Sequence, residues 1–446
     1  MTTGEKKRVI NRVKAMYPLR AKVDESYLRS QEAIKAGKPT VWAMLTFCYG
    51  DPVLKAMDIE VVYPENYGAA LAAAGVAREY LDRSDAEGFP THLCGYSRAN
   101  FGYAARLKEL GGEIPPEAPM GGMPKPLFLL SSVAVCDARY KWFQALGRYL
   151  NVPVWTLEAP LPGIREFQLE GCYEEMVKLA INHLREFVAF VEKAVSRKMD
   201  WAKLEETVDL AIEIHRLSHE ITELRKAKPC PMHSRDFWSA MPPALFLLGD
   251  LKESVQLYRN LYQEVADRVK NGIGAIPEEK YRLVFAELPP WHSLDLFDRL
   301  AERGWNFVIE SFGYHSPPPM DLSGISDPLE RIARFSLQRM VANYKDALAK
   351  NVVAGADVYI YLKYVREWKC DGAFLHPLVS CRSASTHLPH VANMLMERLK
   401  VPSLMVEGDI VDLRLFNPQD VLTRAEPFEE SMEYYRKVRR EAGLEW

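Results

Sequence analysis

Leu127-Phe-Leu-Leu-Ser-Ser-Val-Ala-Val-Cys136, followed by Asp137-Ala-Arg-Tyr-Lys-Trp-Phe143, is the stretch whose reading decides the fold. Leu127–Val135 has the apolar content of a strand buried on both faces. It runs out at a cysteine, and Trp142, Phe143, Leu146 and Leu150 then take up helical spacing. A buried strand that hands over directly to a helix is the repeating unit of a parallel sheet. The same unit recurs on the amino-terminal side. Pro39–Cys48 reads as a strand, Gly50-Asp-Pro52 opens a helix through Ala56, Ile59–Tyr63 is a strand, and alanine-rich Tyr67–Tyr80 is a helix. Val152–Leu157 closes this block. The loop Gly111–Pro126, dense in proline and glycine, is expected as an ordered surface excursion.

From about Ile164 to Ile276 the strand signal disappears, and Phe167–Glu192, Trp201–Lys226 and Met241–Lys270 carry helix-spaced apolar residues. Alternation returns with strands at Tyr281–Glu287, Trp305–Glu310, Gly372–Val379 and Val401–Glu407. Between them lie helices at Leu294–Arg303, Pro328–Glu367 and Thr386–Leu399. The expected architecture is α/β: two Rossmann-like parallel-sheet domains with a helical insertion. Its boundaries are an amino-terminal helical segment at 1–36, domain I at 37–163, the insertion at 164–277 and domain II at 278–446.

A chain of 446 residues exceeds one ordinary core, and 48% hydrophobic with 26% charged residues is a globular balance. The net charge of −3 gives no basis for nucleic-acid binding. No signal-peptide core follows the first residues, and the longest apolar stretches, such as Val352–Leu362, fall short of the ~20 residues of a membrane span. An odd count of seven cysteines argues for thiols in a reducing, cytoplasmic setting. No G-x-G-x-x-G, G-x-x-x-x-G-K-[ST], H-E-x-x-H or G-x-S-x-G is present. Two Rossmann-like domains without a nucleotide fingerprint shift the weight of the chemistry onto the cysteines.

Three of these stand where a strand is expected to run out: Cys94 in Thr91-His-Leu-Cys-Gly-Tyr-Ser-Arg98, Cys136, and Cys381 before Arg382. Their spacings of 42 and 245 residues exclude a ferredoxin run or a C-x-x-C ribbon, so only a fold brings them together. Strand carboxyl ends share one edge of an open α/β sheet, where ligand crevices form. Two readings follow: three ligands of an iron–sulfur cluster with one open iron, or three small buried hydrophobes. Cys48, at the end of the first strand, is a competing ligand, pocket wall or core residue. Cys370 lies 11 residues before Cys381 on extended chain, too distant at about 3.3 Å per residue to share a cluster. Cys172 reads as packing, and Cys230 with His233 supplies too few ligands for a closed zinc site.

Cys136-Asp-Ala-Arg-Tyr-Lys-Trp-Phe143, the run around Ser380-Cys381-Arg-Ser, and Val406-Glu-Gly-Asp-Ile-Val-Asp-Leu-Arg-Leu-Phe416 resemble the 2-hydroxyacyl-CoA dehydratase and benzoyl-CoA reductase family. The resemblance runs from about Pro39 to the carboxyl terminus. Glu278–Val284 with Pro289-Pro-Trp291 looks closest to the ring-reducing subunits of ATP-dependent benzoyl-CoA reductase. It implies a [4Fe–4S] cluster on Cys94, Cys136 and Cys381, with Cys48 outside the set. It also implies a homologous cluster-bearing partner subunit, ATP and magnesium on a separate activator, and ferredoxin as upstream donor.

The main expectation is a benzoyl-CoA reductase subunit that dearomatises benzoyl-CoA or a close analogue by stepwise electron and proton transfer. The alternative is a subunit of an (R)-2-hydroxyacyl-CoA dehydratase, and a third reading is a non-catalytic scaffold or relay. The two chemistries share a first step, one-electron reduction of the thioester carbonyl to a ketyl, so one scaffold serves either. His92 and Glu407 are candidate proton donors, the former alternatively a partner of the cluster. Tyr96, Ser97, Arg382 and Ser383 are candidate substrate contacts, with Ser380 beside them. Trp42, Phe47, Tyr49 and Trp291 either line an arene pocket or fill the core.

Overall fold

The computed structural model describes residues 9–132, 136–158, 162–311, 316–351, 356–444 and 446, with the backbone alone at 356 and 357. Two four-stranded parallel sheets carry the chain. In the first, the order is β2 (Glu60–Val62), β1 (Thr40–Ala43), β3 (Leu129–Ser132), β4 (Val154–Leu157). In the second it is β6 (Trp305–Glu310), β5 (Tyr281–Ala286), β7 (Gly372–Leu375), β8 (Ser403–Met405). Each sheet therefore repeats one winding, with its first strand flanked by its second and third. The central strands β1, β3, β5 and β7 are buried at every position, as parallel strands covered on both faces must be.

Helices α2 (Asp51–Ala56), α3 (Pro64–Ala73), α4 (Ala77–Ala86), α5 (Gly95–Glu109) and α6 (Asp137–Leu150) connect the first sheet. Helices α11 (Leu296–Ala301), α12 (Pro328–Ala349), α13 (Ala356–Glu367) and α14 (Leu388–Leu399) connect the second, and α15 (Pro418–Glu441) follows it. Between the sheets in sequence come α7 (Cys172–Val195), α8 (Trp201–Leu224), α9 (Ser234–Leu245) and α10 (Leu251–Lys270), preceded at the amino terminus by α1 (Met16–Lys35). Arg225, at the carboxyl end of α8, donates to both carboxylate oxygens of Glu310 on β6 at 2.7 Å, with both side chains fully buried. That ion pair fixes the insertion to the second sheet.

Several elements differ from the expectation, each for a local reason. Strand β1 stops at Ala43, because the chain turns through left-handed backbone at Phe47 (φ 52°) and Cys48 (φ 63°). The helix expected over Tyr67–Tyr80 is two helices, separated at Gly75 (φ 74°), where glycine tolerates the left-handed turn that ends α3. No strand precedes Cys94: α4 and a loop lead directly to α5. The strand expected through Val379 stops at Leu375, though its continuation still pairs Leu378 with Gly408 beyond β8. Residues 133–135 of the expected third strand lie outside the described residues. None of the described helices is long and apolar enough to cross a membrane.

Candidate functional site

Cys94 is the N-cap of α5 and Cys136 the N-cap of α6, while Cys381 follows the paired extensions of β7 and β8. All three are free thiols of intermediate exposure. They lie within one another's electrostatic field. Burial pushes Cys94 well above the ordinary thiol range, and the charges of Cys381 and Cys136 push it further. Burial also raises Cys381, to about 11, with Cys136 adding to the rise. Cys136 is raised by burial against the opposing Arg139 guanidinium.

Backbone N–H groups work the other way. Those of Ser97, of Arg139 and Ala138, and of Ala384 and Ser383 lower the pKa of Cys94, Cys136 and Cys381 respectively. Each sulfur thus faces the amide groups of the turn that follows it, an environment that favours negative charge. Among the described residues no three His, Cys, Asp or Glu side chains converge closely enough for a single metal ion. Ligands of one tetrahedral ion sit about 2.3 Å from it. In donor type, number and surrounding N–H groups the three thiols match what a multinuclear cluster needs.

Residues from both halves of the chain lock this arrangement. Asp409, fully buried, accepts from the backbone N–H groups of Val411 and Asp412 at 2.8 Å and from the Ser380 hydroxyl. Ser380 in turn accepts from Gly95 N at 3.2 Å, so the neighbours of Cys381 and Cys94 are tied directly. Arg98 adds a second strap, donating to Asp412 at 3.0 Å and Asp85 at 2.6 Å.

Two carboxylates act on the thiols. Glu65, on the first turn of α3, accepts from Leu45 N at 2.8 Å and Arg139 at 2.7 Å, both at Oε2. Its Oε1 has no partner among the described residues, and the side chain lines a cavity of about 370 Å³. Glu287 follows β5 in left-handed backbone (φ 73°), a conformation costly for a side chain of this size. Its Oε1 accepts from the Tyr361 hydroxyl at 2.7 Å and lies 3.1 Å from His387 Nε2. The fields of these carboxylates reach the thiols, Glu65 acting on Cys136 and Glu287 on Cys381.

Of the residues singled out in the sequence, Tyr96 is buried beside Cys94, and its hydroxyl accepts from Trp291 Nε1 at 2.5 Å. Because an indole only donates, the Tyr96 proton is left for another acceptor, and Tyr96 faces the cavity. Ser97 donates back to Cys94 O at 2.8 Å and so shapes the turn. Arg382 is exposed and ion-paired with Asp137, and Ser383 is exposed while offering its amide to Cys381. His92 and Glu407 are exposed, without a hydrogen-bond partner among the described residues. Cys48 stands apart from the three thiols: its sulfur is 3.0 Å from His215 Nε2, and Asp51 supplies the charge acting on it. Trp291 lines the cavity, whereas Trp42 is core, its indole donating to Pro124 O at 2.8 Å. Tyr49 is core as well, its hydroxyl donating to Ala180 O at 2.9 Å. Glu65, Glu287 and Asp409 escaped the sequence reading. The available signal for Glu65 was its place at the start of a helix after a strand; nothing local marked the other two.

The family described as 2-hydroxyglutaryl-CoA dehydratase, D-component, matches residues 49–432. The chain is 26% identical to the (R)-2-hydroxyisocaproyl-CoA dehydratase alpha subunit of Clostridioides difficile, covering 93% of this chain and 95% of that protein. It is 24% identical to the (R)-phenyllactyl-CoA dehydratase alpha subunit of Clostridium sporogenes, covering 96% and 98%. A benzoyl-CoA reductase subunit of Thauera aromatica is 25% identical over 77% of this chain and 78% of its own length. The order of the two expected chemistries is thereby reversed, with the dehydratases matching over more of the chain.

Proposed function

The chain belongs to the 2-hydroxyglutaryl-CoA dehydratase D-component family, and from that premise we propose that it is a subunit of a 2-hydroxyacyl-CoA dehydratase. Cys94, Cys136 and Cys381 would hold a [4Fe–4S] cluster. The observation that carries this reading is the set of three mutually interacting thiols, drawn from both halves of the chain, with a carboxylate from each half acting on them. Thiols that repel one another's ionisation are natural ligands for a cationic iron core, which compensates the charge that burial disfavours. When bound, the cluster supplies single low-potential electrons and one iron open to an oxygen ligand.

The rest of the reaction falls to the protein's own side chains. Net dehydration removes the hydroxyl from C2 and a proton from C3 of the acyl group, leaving an enoyl thioester and water. Tyr96, whose hydroxyl accepts from Trp291 and keeps its own proton, would donate its O–H to the oxygen on which charge develops. Glu65, oriented through Oε2 by Arg139 and Leu45, offers Oε1 to carry a proton in the cavity. Glu287, held by Tyr361 and His387, is a second carboxylate near the thiols. A homologous second subunit and a separate ATP-hydrolysing activator, fed by ferredoxin, complete the proposed system.

The test is anaerobic purification with iron and acid-labile sulfide analysis of the parent and of Cys94→Ala, Cys136→Ala and Cys381→Ala. About four of each in the parent, lost in every variant, is the expected outcome; a parent without iron after reconstitution overturns the reading. Ring reduction is the second reading, favoured by the similarity to the Thauera protein. Turnover of benzoyl-CoA to a dienoyl thioester, with no dehydration of 2-hydroxyacyl-CoAs by the assembled complex, would put it first.

A further inference from the structure

The cavity of about 370 Å³ beside Tyr96 extends well past the Tyr96 and Glu65 side chains that the dehydratase reading uses. One wall is a stripe of small side chains on α3 and its cap: Ala69, Ala70, Ala73 and Ala74. From Glu65 to Ala74 that wall runs about 14 Å at 1.5 Å per helical residue. Glu65, Ala69 and Ala70 are partly buried, whereas Ala73 and Ala74 are exposed, so the slot runs from the flank of the thiols out to solvent. The facing wall comes from α9 and the chain after β5, with Trp238, Met241, Phe246 and Trp291.

Charge within the slot is confined to four residues. Arg235 is ion-paired with Asp298. Arg20 is exposed, with Asp24 one turn further along α1. Glu65 stands at the inner end and Arg20 at the mouth, so a carboxylate carried between them meets alanine and aromatic walls, where Arg235 is already held by Asp298 and burial of charge is costly. Aromatic and methionine side chains opposite alanines leave room for a flat ring or a branched chain, and give little to a methyl group.

We propose that this slot receives the side chain of the 2-hydroxyacyl group and selects uncharged aryl or branched-alkyl substrates over short and carboxylated ones. This rests on the dehydratase reading and extends it to the substrate class. The thioester would then lie at the inner end, within reach of the Tyr96 hydroxyl and Glu65, while the acyl side chain points outward between α3 and α9. Ala70, facing the slot from midway along its wall, is the residue whose size sets the selection.

The test uses the assembled complex with three probes: a 3-phenyl-2-hydroxypropanoyl-CoA, 2-hydroxyglutaryl-CoA and lactoyl-CoA. Equilibrium binding is measured without reductant, and kcat/KM with the activator present. The aryl probe is expected to lead each of the others by about tenfold or more in both measurements, the scale at which apolar pockets discriminate. In Ala70→Phe, or in Ala70→Leu if the larger residue lowers the yield of folded protein, the aryl-to-lactoyl ratio is expected to fall about tenfold. Iron content should stay at the parent level. An equal loss for all three probes would assign the slot to the coenzyme arm that they share, and overturn the proposal. So would an unchanged ratio, or a parent preference for the glutaryl probe. Failure of the dehydratase reading shows separately, as missing iron or absent turnover with every probe, and the binding ratios still decide the slot.

Discussion

Three hydrogen bonds converge on the carboxylate of Asp409, and the one from Ser380 reaches the neighbours of two of the thiols. Asp409→Ala leaves two buried N–H groups and the Ser380 hydroxyl without their acceptor. The expected loss is roughly 2–4 kcal/mol, since each deserted buried group costs about 1–3 kcal/mol and relaxation recovers part. Urea unfolding measures it. The tie from Ser380 to Gly95 should loosen as well, so iron retention is expected to fall in the same preparation. An unchanged urea midpoint would remove Asp409 from this role. Nothing near Asp409 in sequence announces this, because with Asp412 and Arg414 it reads as a salt-bridged helix start. The partner that matters, Ser380, lies 29 residues earlier, and its link to Gly95 spans 285 residues. Glu287 was hidden for a different reason: its positive φ is a property of backbone, not of residue type.

The amino end of α5 is the element on which the site is most exposed to error. A Cβ at Gly95 would stand 2.5 Å from Asp409 Oδ1 and 3.1 Å from Val411 Cβ, both parts of a buried network. Alanine is the better helix former by up to ~1 kcal/mol, less at a first helical position. Overpacking against a fixed neighbour costs about 1–3 kcal/mol. Gly95→Ala is therefore expected to be net destabilising, by about 1–2 kcal/mol in urea unfolding, with weakened iron retention. A stabilised variant would contradict the close packing. At this scale the sequence was legible where period and length agreed, as in the strand-to-helix passage at Cys136. It failed where one residue changed the backbone: Gly75 divides a run whose composition reads as a single helix, and Cys94 caps a helix with no strand before it. The alternation of strands and helices survived these errors, because covering both faces of a parallel sheet constrains the whole pattern.

Across the whole molecule, stability carries a titration signature outside the candidate site. Burial lowers His215 and His376 from the ordinary 6.5 to about 4. The unfolded chain therefore binds more protons than the folded one between those values, and stability falls as pH drops through that window. Each histidine is expected to cost about 2 kcal/mol by pH 5 relative to pH 7. Urea midpoints at the two pH values measure the pH dependence, and His215→Gln should reduce it by about 2 kcal/mol. A variant that keeps the full parental pH dependence would refute the assignment.

The repeated winding of the two sheets has a consequence for how the chain is made. Cys94 and Cys136 belong to the first sheet's connections and Cys381 to the second's, 245 residues later than Cys136. At about 5–20 residues per second of synthesis, the ribosome needs roughly 10–50 s to travel between them. Throughout that interval the nascent first half holds two thiols without the third. A product that terminates before Cys381 lacks the third thiol. On the proposed reading, synthesis of the second half is thus a precondition for completing the three-thiol set.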